Sequence, residues 1–399
     1  MTLKNAVRLA PLAAAALAVL ASPLKAEIRG GALLEGLSGS GPVVEAPAVE
    51  GVPLRIAQQG PGGGPQTRMK SVISTPLIMA RVFQLLDAEL LKVHRDRNQI
   101  EWMWKNDPFA QSFAGYYRRV RGQSLALDDN HMRSVVELGG TVAKINELLG
   151  NPFPGKTDLD GKALTFDIRL TPVNDRRAIA VAAVMGFVGR WEGTSEATDN
   201  APSSSRRLTL ESGGVVDGAV VARADIRAVS GADPVVHLRA DDKMDGQSKL
   251  DVYMVRQRTQ IAEGDATSAQ EAAAALAQLV GRAPMARDPA TGQPYAGVVF
   301  PKAKLKVSGD VPSFLRMSVQ NSDWYIAQFK LEQQLSLDHR GLVALAAAAA
   351  MARARGITLT PPGPQPYVIN GPYLVWIKYK GQIVYSAFIG EGDMKRPGS

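Results

Sequence analysis

The chain of 399 residues contains no cysteine. Disulfides, thiolate catalysis and cysteine-ligated metals are therefore excluded together. Export is not excluded, because a chain of this length buries a full core without covalent staples. Histidine is also scarce: His94, His131, His237 and His339 are the only 4. They are far apart, and none sits in an HxxxH or HExxH context, so each reads as an isolated surface or core side chain and no metal site is expected. There is no GxSxG elbow to support a hydrolase triad. GPGGGPQ at 60–66 has neither the Lys-Ser/Thr of a phosphate loop nor the strand and helix that flank one, and reads as linker. Asp129 and Asp241-Asp242 read as acids of solvated turns. Aromatics make up 6% of the chain, and no basic stripe is interleaved with them, so nucleic acid is not an expected partner. No enzyme activity and no cofactor are expected.

The only long apolar run is at the start. Lys4 and Arg8 precede Leu9–Ala21, and Leu24-Lys25-Ala26 offers a cleavage site, so residues 1–26 read as a signal peptide. Pro11 and the shortness of the run argue against a span, which needs about 20 residues. The mature protein is expected to be periplasmic or secreted, with no membrane attachment once the signal is removed. Losing Lys4, Arg8 and Lys25 with no acid lowers the formal charge from +8. Residues 27–68 are rich in Gly, Pro and Ser and read as a flexible lead-in. Residues 69–399 read as one α+β domain.

Within that domain the apolar spacing predicts helices over 76–92, 132–150 and 267–281. The third has Thr267 or Ser268 as its cap and Gly281 as its stop. A buried strand is predicted over 178–191, with strand alternation over 248–257 and 324–337. Residues 372–390 predict a hairpin turning at Lys380-Gly381, with apolar residues on both faces and hence a place inside a sheet.

GLVALAAAAAMARARG, residues 341–356, is ambiguous. Propensity alone favours a helix. Read with a period of two, almost all bulky side chains fall on odd positions, and even positions from Ala344 to Ala354 are all alanine. The stretch follows a strand-like run and precedes TPPGPQP at 360–366, so its flanks are those of a long loop.

The order of motifs from Trp102 to the C-terminus resembles the serpin family of protease inhibitors. INELLGN (145–151) resembles the end of the serpin helix that crosses the main sheet. NDRRAIAVAAVMGFVGRWEG (174–193) is similar to the strand that ends in a buried Trp, here Trp191. TLESGGVV (209–216) resembles the next hairpin, VVFPKAKLKVSGDVPSFL (298–315) the Pro-Lys segment, and YVINGPYLVWIKYKGQIVYSAFIGE (367–391) the closing strands. DHRGLVALAAAAA resembles the hinge.

The resemblance implies a single serpin-like domain with a large central mixed sheet, smaller sheets, several helices and an exposed reactive loop at about 341–363. It implies a suicide-substrate inhibitor and no enzyme, a monomer whose partner is a trypsin-like serine protease held in a covalent complex. The reactive bond falls at Arg355–Gly356, with Arg353 as a competing cut site. Gly341, Leu342, Val343, Ala344, Ala346, Ala348 and Ala350 are implied as the hinge and inserting residues, and Trp191 as support for the sheet core. The chain departs from the family pattern at Leu342, where a small hydroxyl residue is usual, and at His339 and Arg340, where acids are usual. It also departs in an extra Thr75 and a compressed N-terminal helical region. A non-inhibitory serpin-like scaffold or binding protein is the alternative. An unrelated α+β envelope domain with a packed helix over 341–354 is a third.

Overall fold

A computed structural model of the chain describes residues 69–192, 205–345 and 365–398. Among them are the helices α1 (Pro76–Val93), α2 (Pro108–Val120), α3 (Ala143–Gly150) and α4 (Ser268–Val280). The first strands in chain order are β1 (Val72–Ser74), β2 (Met132–Leu138), β3 (Ile179–Trp191), β4 (Ser205–Thr209) and β5 (Val215–Val221). Next come β6 (Asp225–Arg227), β7 (Val235–Asp242), β8 (Lys249–Arg256), β9 (Val298–Pro301) and β10 (Ala303–Asp310). The chain continues with β11 (Lys330–Leu337), β12 (Gly341–Leu345), β13 (Tyr367–Val368), β14 (Tyr373–Tyr379) and β15 (Gln382–Ile389).

The architecture is α+β, with an 11-stranded sheet ordered β1-β15-β14-β8-β7-β3-β12-β11-β10 and a 4-stranded sheet ordered β13-β9-β5-β4. Strand β2 branches from β3, and β6 from β7. β3 organises the large sheet because it changes partners along its length. On one edge Ile179–Met185 pairs with β2 and Gly189–Trp191 with β7. On the other edge only Gly186–Arg190 is paired, with β12. Its run IAVAAVMGFVGRW is apolar on both sides, as a strand covered on both faces requires.

The hairpin expected near the C-terminus is present as β14 and β15. Lys380 and Gly381 have φ of 47° and 84°, the left-handed pair of a tight hairpin turn. Tyr373–Ile377 is buried throughout, so the hairpin lies inside the sheet. α1 begins at Pro76 in its first turn, where a missing N–H costs nothing. It packs Phe83 against Trp102, Phe113, Tyr117 and Phe314 at centroid distances of 5.2–5.6 Å.

Three expectations need correction. Residues 132–150 are not one helix: β2 ends at Leu138, and Gly139 and Gly140 break the chain at φ of 77° and 80° before α3 begins. A Cβ on Gly140 would lie 2.0 Å from the Val173 carbonyl oxygen, so this break admits no side chain. The strand expected over 324–337 is regular only from Lys330. Thr267 occupies the N-cap of α4 without capping a backbone N–H; its hydroxyl instead reaches Asp265 and Glu271.

Candidate strand-acceptor slot

Strand β12 follows β11 through a turn at Asp338-His339-Arg340. The turn is closed by Asp338 N–H donating to the Gly341 carbonyl at 3.1 Å. Asp338 Oδ1 accepts from the Arg340 and Gly341 N–H groups at 2.7 and 3.2 Å. β12 then lies antiparallel to both neighbours, with Leu342 opposite Leu337 and Gly189, and Leu345 opposite Gln334 and Gly186. Since β12 opposes both, β3 and β11 run in the same direction.

Gly341 is required by contact, not by backbone conformation. A Cβ there would stand 1.9 Å from the Gly189 carbonyl oxygen. Leu342 and Ala344 are buried in the main core, which also contains Leu77, Phe83, Leu335 and Leu337. Val343 and Leu345 are buried on the opposite face with Ile145, Leu149, Phe153 and Phe166. The two parities thus face the two sides of the sheet. Leu342 is fully buried at 0% exposure, above the place where Gly189 has no side chain. The bulk of Leu342 therefore has its own recess, and its burial contributes about 1.5–3 kcal/mol.

Below Leu345 no strand stands between β3 and β11 among the described residues. A cavity of about 310 Å³ occupies the gap, lined by Ala178–Val184 on one side and Asp323–Glu332 on the other. Ile78, Met79, Val82 and Leu86 of α1 lie on its core side, and Val142, Ile145, Leu149 and Phe166 on the α3 side. Among the described residues, each facing strand edge carries backbone N–H and C=O groups with no strand to receive them. The lower half of this seam is a slot between two strands that run in the same direction.

A strap closes over the α3 face. After α3, Phe166 N–H donates to the Leu149 carbonyl at 2.9 Å. Asp167 and Ile168 N–H both donate to Glu332 Oε2 at 2.9 Å, and Thr171 exchanges two hydrogen bonds with the Gln328 amide at 3.0 and 2.7 Å. Glu332 has no exposed side-chain surface, and its other oxygen is bonded by Gln334 Nε2 and Lys306 Nζ at 2.6 and 2.9 Å. At the upper end Arg340 Nη1 donates to Asp160 Oδ1 at 2.6 Å, and its Nη2 donates to Asp338 at 3.0 Å. Burial opposes the Arg340 charge, but Asp338 and Asp160 outweigh it and hold the guanidinium pKa above its usual value.

Beneath the slot, Gln333 Nε2 donates to Thr75 Oγ1 at 2.6 Å, and the Tyr385 hydroxyl donates to the Gln334 carbonyl at 2.9 Å. The additional Thr75 is thus a buried partner of β11.

Of the residues singled out from sequence, Gly341, Leu342, Val343 and Ala344 lie together in β12 and are buried, so the exposed loop expected from about 341 does not begin there: its first residues, through Leu345, are a strand paired on both edges. Trp191 stands beside them: it is fully buried, and its indole N–H donates to the Asp338 carbonyl at 2.8 Å. Ala346, Ala348, Ala350, Arg353, Arg355 and Gly356 lie outside the described residues, as do the proposed signal and lead-in, 1–68. Arg340 takes the place of an expected acid, and its carboxylate partners come from Asp160 and Asp338. The reading of Asp241-Asp242 as a solvated turn fails at Asp242, whose side chain is fully buried against His131. Glu332, Gln333, Asp160 and Thr75 were not anticipated as site residues; their partners are distant in sequence, and only the buried Gln-Gln pair in an apolar strand hints at them.

No protein-family model matches the chain, and no curated protein matches it. Among solved structures it is similar to the thermophilic serpin tengpin in its latent state, with 10% identity, a TM-score of 0.43, and coverage of 82% of this chain and 92% of that one. It is similar to glycosylated human kallistatin, with 11% identity, a TM-score of 0.42, and coverage of 82% and 92%. It is also similar to thyroxine-binding globulin in complex with thyroxine, with 10% identity, a TM-score of 0.42, and coverage of 80% and 92%.

Proposed function

We propose that the protein is an exported inhibitor of trypsin-like serine proteases that acts as a suicide substrate. Cleavage after Arg355 frees a loop whose first residues are already strand β12. The unfilled seam between β3 and β11 carries this reading. Continuing the register of β12 lays Ala346 against Gln333 and Met185, Ala348 against Leu331 and Ala183, and Ala350 against Phe329 and Val181. Even positions then face α1, as Leu342 and Ala344 do, where packing leaves room for methyl groups. Odd positions, ending in Met351, face the α3 side, as Val343 and Leu345 do.

Insertion of such a strand forms about a dozen backbone hydrogen bonds at ~1 kcal/mol net each, on the order of 10 kcal/mol in all. That is enough to drag an acylated protease across the sheet and distort its active site. The acidic specificity pocket of a trypsin-like enzyme suits the Arg355 guanidinium. On this reading the protein works alone as a monomer, outside the cytoplasm, without a cofactor.

Incubating the mature protein with trypsin tests this. The expected product is a covalent complex that survives boiling in detergent, with the released C-terminal peptide starting at Gly356. Clean cleavage with no complex would exclude inhibition. One observation favours the alternative of a non-inhibitory scaffold: the strap is fastened to Gln328 and Glu332 on the α3 side of the slot, across the face that the odd-numbered side chains of an entering strand would occupy. That alternative gives the same cleavage and no complex.

A further inference from the structure

We infer that His131 is a pH-sensitive clamp on the β2–β3 flank of the slot, holding that flank closed while the ring is doubly protonated and loosening it when the proton leaves. This rests on the slot reading only for its consequence, the rate at which a strand enters.

His131 has no exposed side-chain surface. Its Nδ1 lies 2.6 Å from Asp128 Oδ1 and its Nε2 lies 2.6 Å from Asp242 Oδ2. An ionised carboxylate only accepts, so each contact asks the ring for an N–H, and a ring with both is an imidazolium. The surroundings agree. From the turn ahead of β2 comes Asp128, from the end of β7 Asp242, and from the following turn Asp245. The β14–β15 turn supplies the Tyr379 hydroxyl and Lys380 Nζ, both donating to Asp128 Oδ2, at 2.7 and 3.1 Å. β3 contributes the apolar ring of Phe187, stacked on the imidazole at 5.2 Å. Three carboxylates therefore face the histidine, with Lys380 against one of them, and a neutral ring, which keeps a single N–H, leaves either Asp128 or fully buried Asp242 opposite a lone pair.

The clamp acts at the seam. The His131 carbonyl accepts the Gly186 N–H at 2.9 Å. Gly186 faces Leu345, the last described residue of β12, across the other edge of β3. On the clamped edge it lies between the residues that pair with β2 and those that pair with β7. A carboxylate-bound ring thus pins the point where β3 passes from filled to unfilled seam.

Burial alone would lower the ring's pKa, but the hydrogen bonds to Asp242 and Asp128 outweigh it and hold it above the ordinary value of 6.5. A group raised in the folded state contributes fully below its unfolded value, and that contribution drains away as pH rises through the folded one.

The test uses the whole mature chain. Nitrogen NMR of the imidazoles is expected to show His131 protonated on both nitrogens at pH 7, titrating above the ordinary value of 6.5. Exchange of the Gly186 and β2 amides, corrected for intrinsic rate, is expected to be at least about tenfold less protected at pH 9 than at pH 6 (each factor of ten being about 1.4 kcal/mol). His131→Gln should remove that pH dependence. Should it fail to fold, Asp128→Asn, which keeps Asp242 in place, should lower the His131 pKa and shift the exchange transition to lower pH. A His131 that is neutral at pH 7, or Gly186 protection that is the same at both pH values, overturns the clamp. An insertion rate after cleavage that ignores pH while His131 titrates overturns its gating role. Absence of insertion at every pH would instead sink the slot reading, leaving the titration and exchange arms intact.

Discussion

The upper and lower halves of the seam between β3 and β11 are built from the same two strands and differ in one respect. Above Gly186 the seam is filled by Gly341–Leu345, with every one of those residues buried. Below it, the same strands enclose a cavity of about 310 Å³. The filled half shows what the sheet demands of an occupant: a glycine where backbone approaches backbone, a side chain that fits over Gly189, and alternation between the α1 and α3 faces. The lower half, with no occupant among the described residues, presents the same demands to a strand, and the sequence after Leu345 begins with five alanines.

Four substitutions probe the difference between the two halves. Gly341→Val should have the largest effect, since its Cβ would overlap the Gly189 carbonyl at 1.9 Å. Expulsion of β12 should destabilise the protein by about 3 kcal/mol or more and open residues 341–345 to proteases, read by urea unfolding and limited digestion. Leu342→Ala follows. It leaves a void beside Gly189 and should cost about 2–5 kcal/mol, and survival of native stability would mean that the recess is not filled as described. Glu332→Gln removes the charge that accepts the Asp167 and Ile168 N–H groups and should cost about 1–3 kcal/mol. Faster amide exchange at those two residues is the direct readout, and it should speed any insertion that the strap retards. The last substitution, Ala348→Asp, addresses the cleaved protein. After cleavage the same change should abolish any gain in stability, because a carboxylate would be forced against α1.

Gly341–Leu345 was only partly legible: helix propensity competes with the strand, Leu342 and Val343 are bulky on both parities, and only the strand-like flank and the order of motifs pointed away from a helix. The β14–β15 hairpin was legible from its turn pair and apolar flanks. Residues 132–138 were misread because Val135, Val136 and Leu138 fall at spacings that also suit a helix, while the β-branched pair and Gly139-Gly140 point to a strand with a stop. The strap was not legible. Glu332 meets Asp167 and Ile168 across 165 and 164 residues, and no short-range pattern encodes such a contact. Asp242 was misjudged in the same way, since its partner His131 lies 111 residues away.

The central claim is that the lower seam accepts the loop. Cutting the mature protein with a catalytic amount of trypsin and comparing the unfolding midpoints of intact and cut material tests it most directly. Insertion worth on the order of 10 kcal/mol should raise the midpoint by roughly 15 °C. A midpoint that is unchanged or lowered after cleavage at Arg355 would contradict the account.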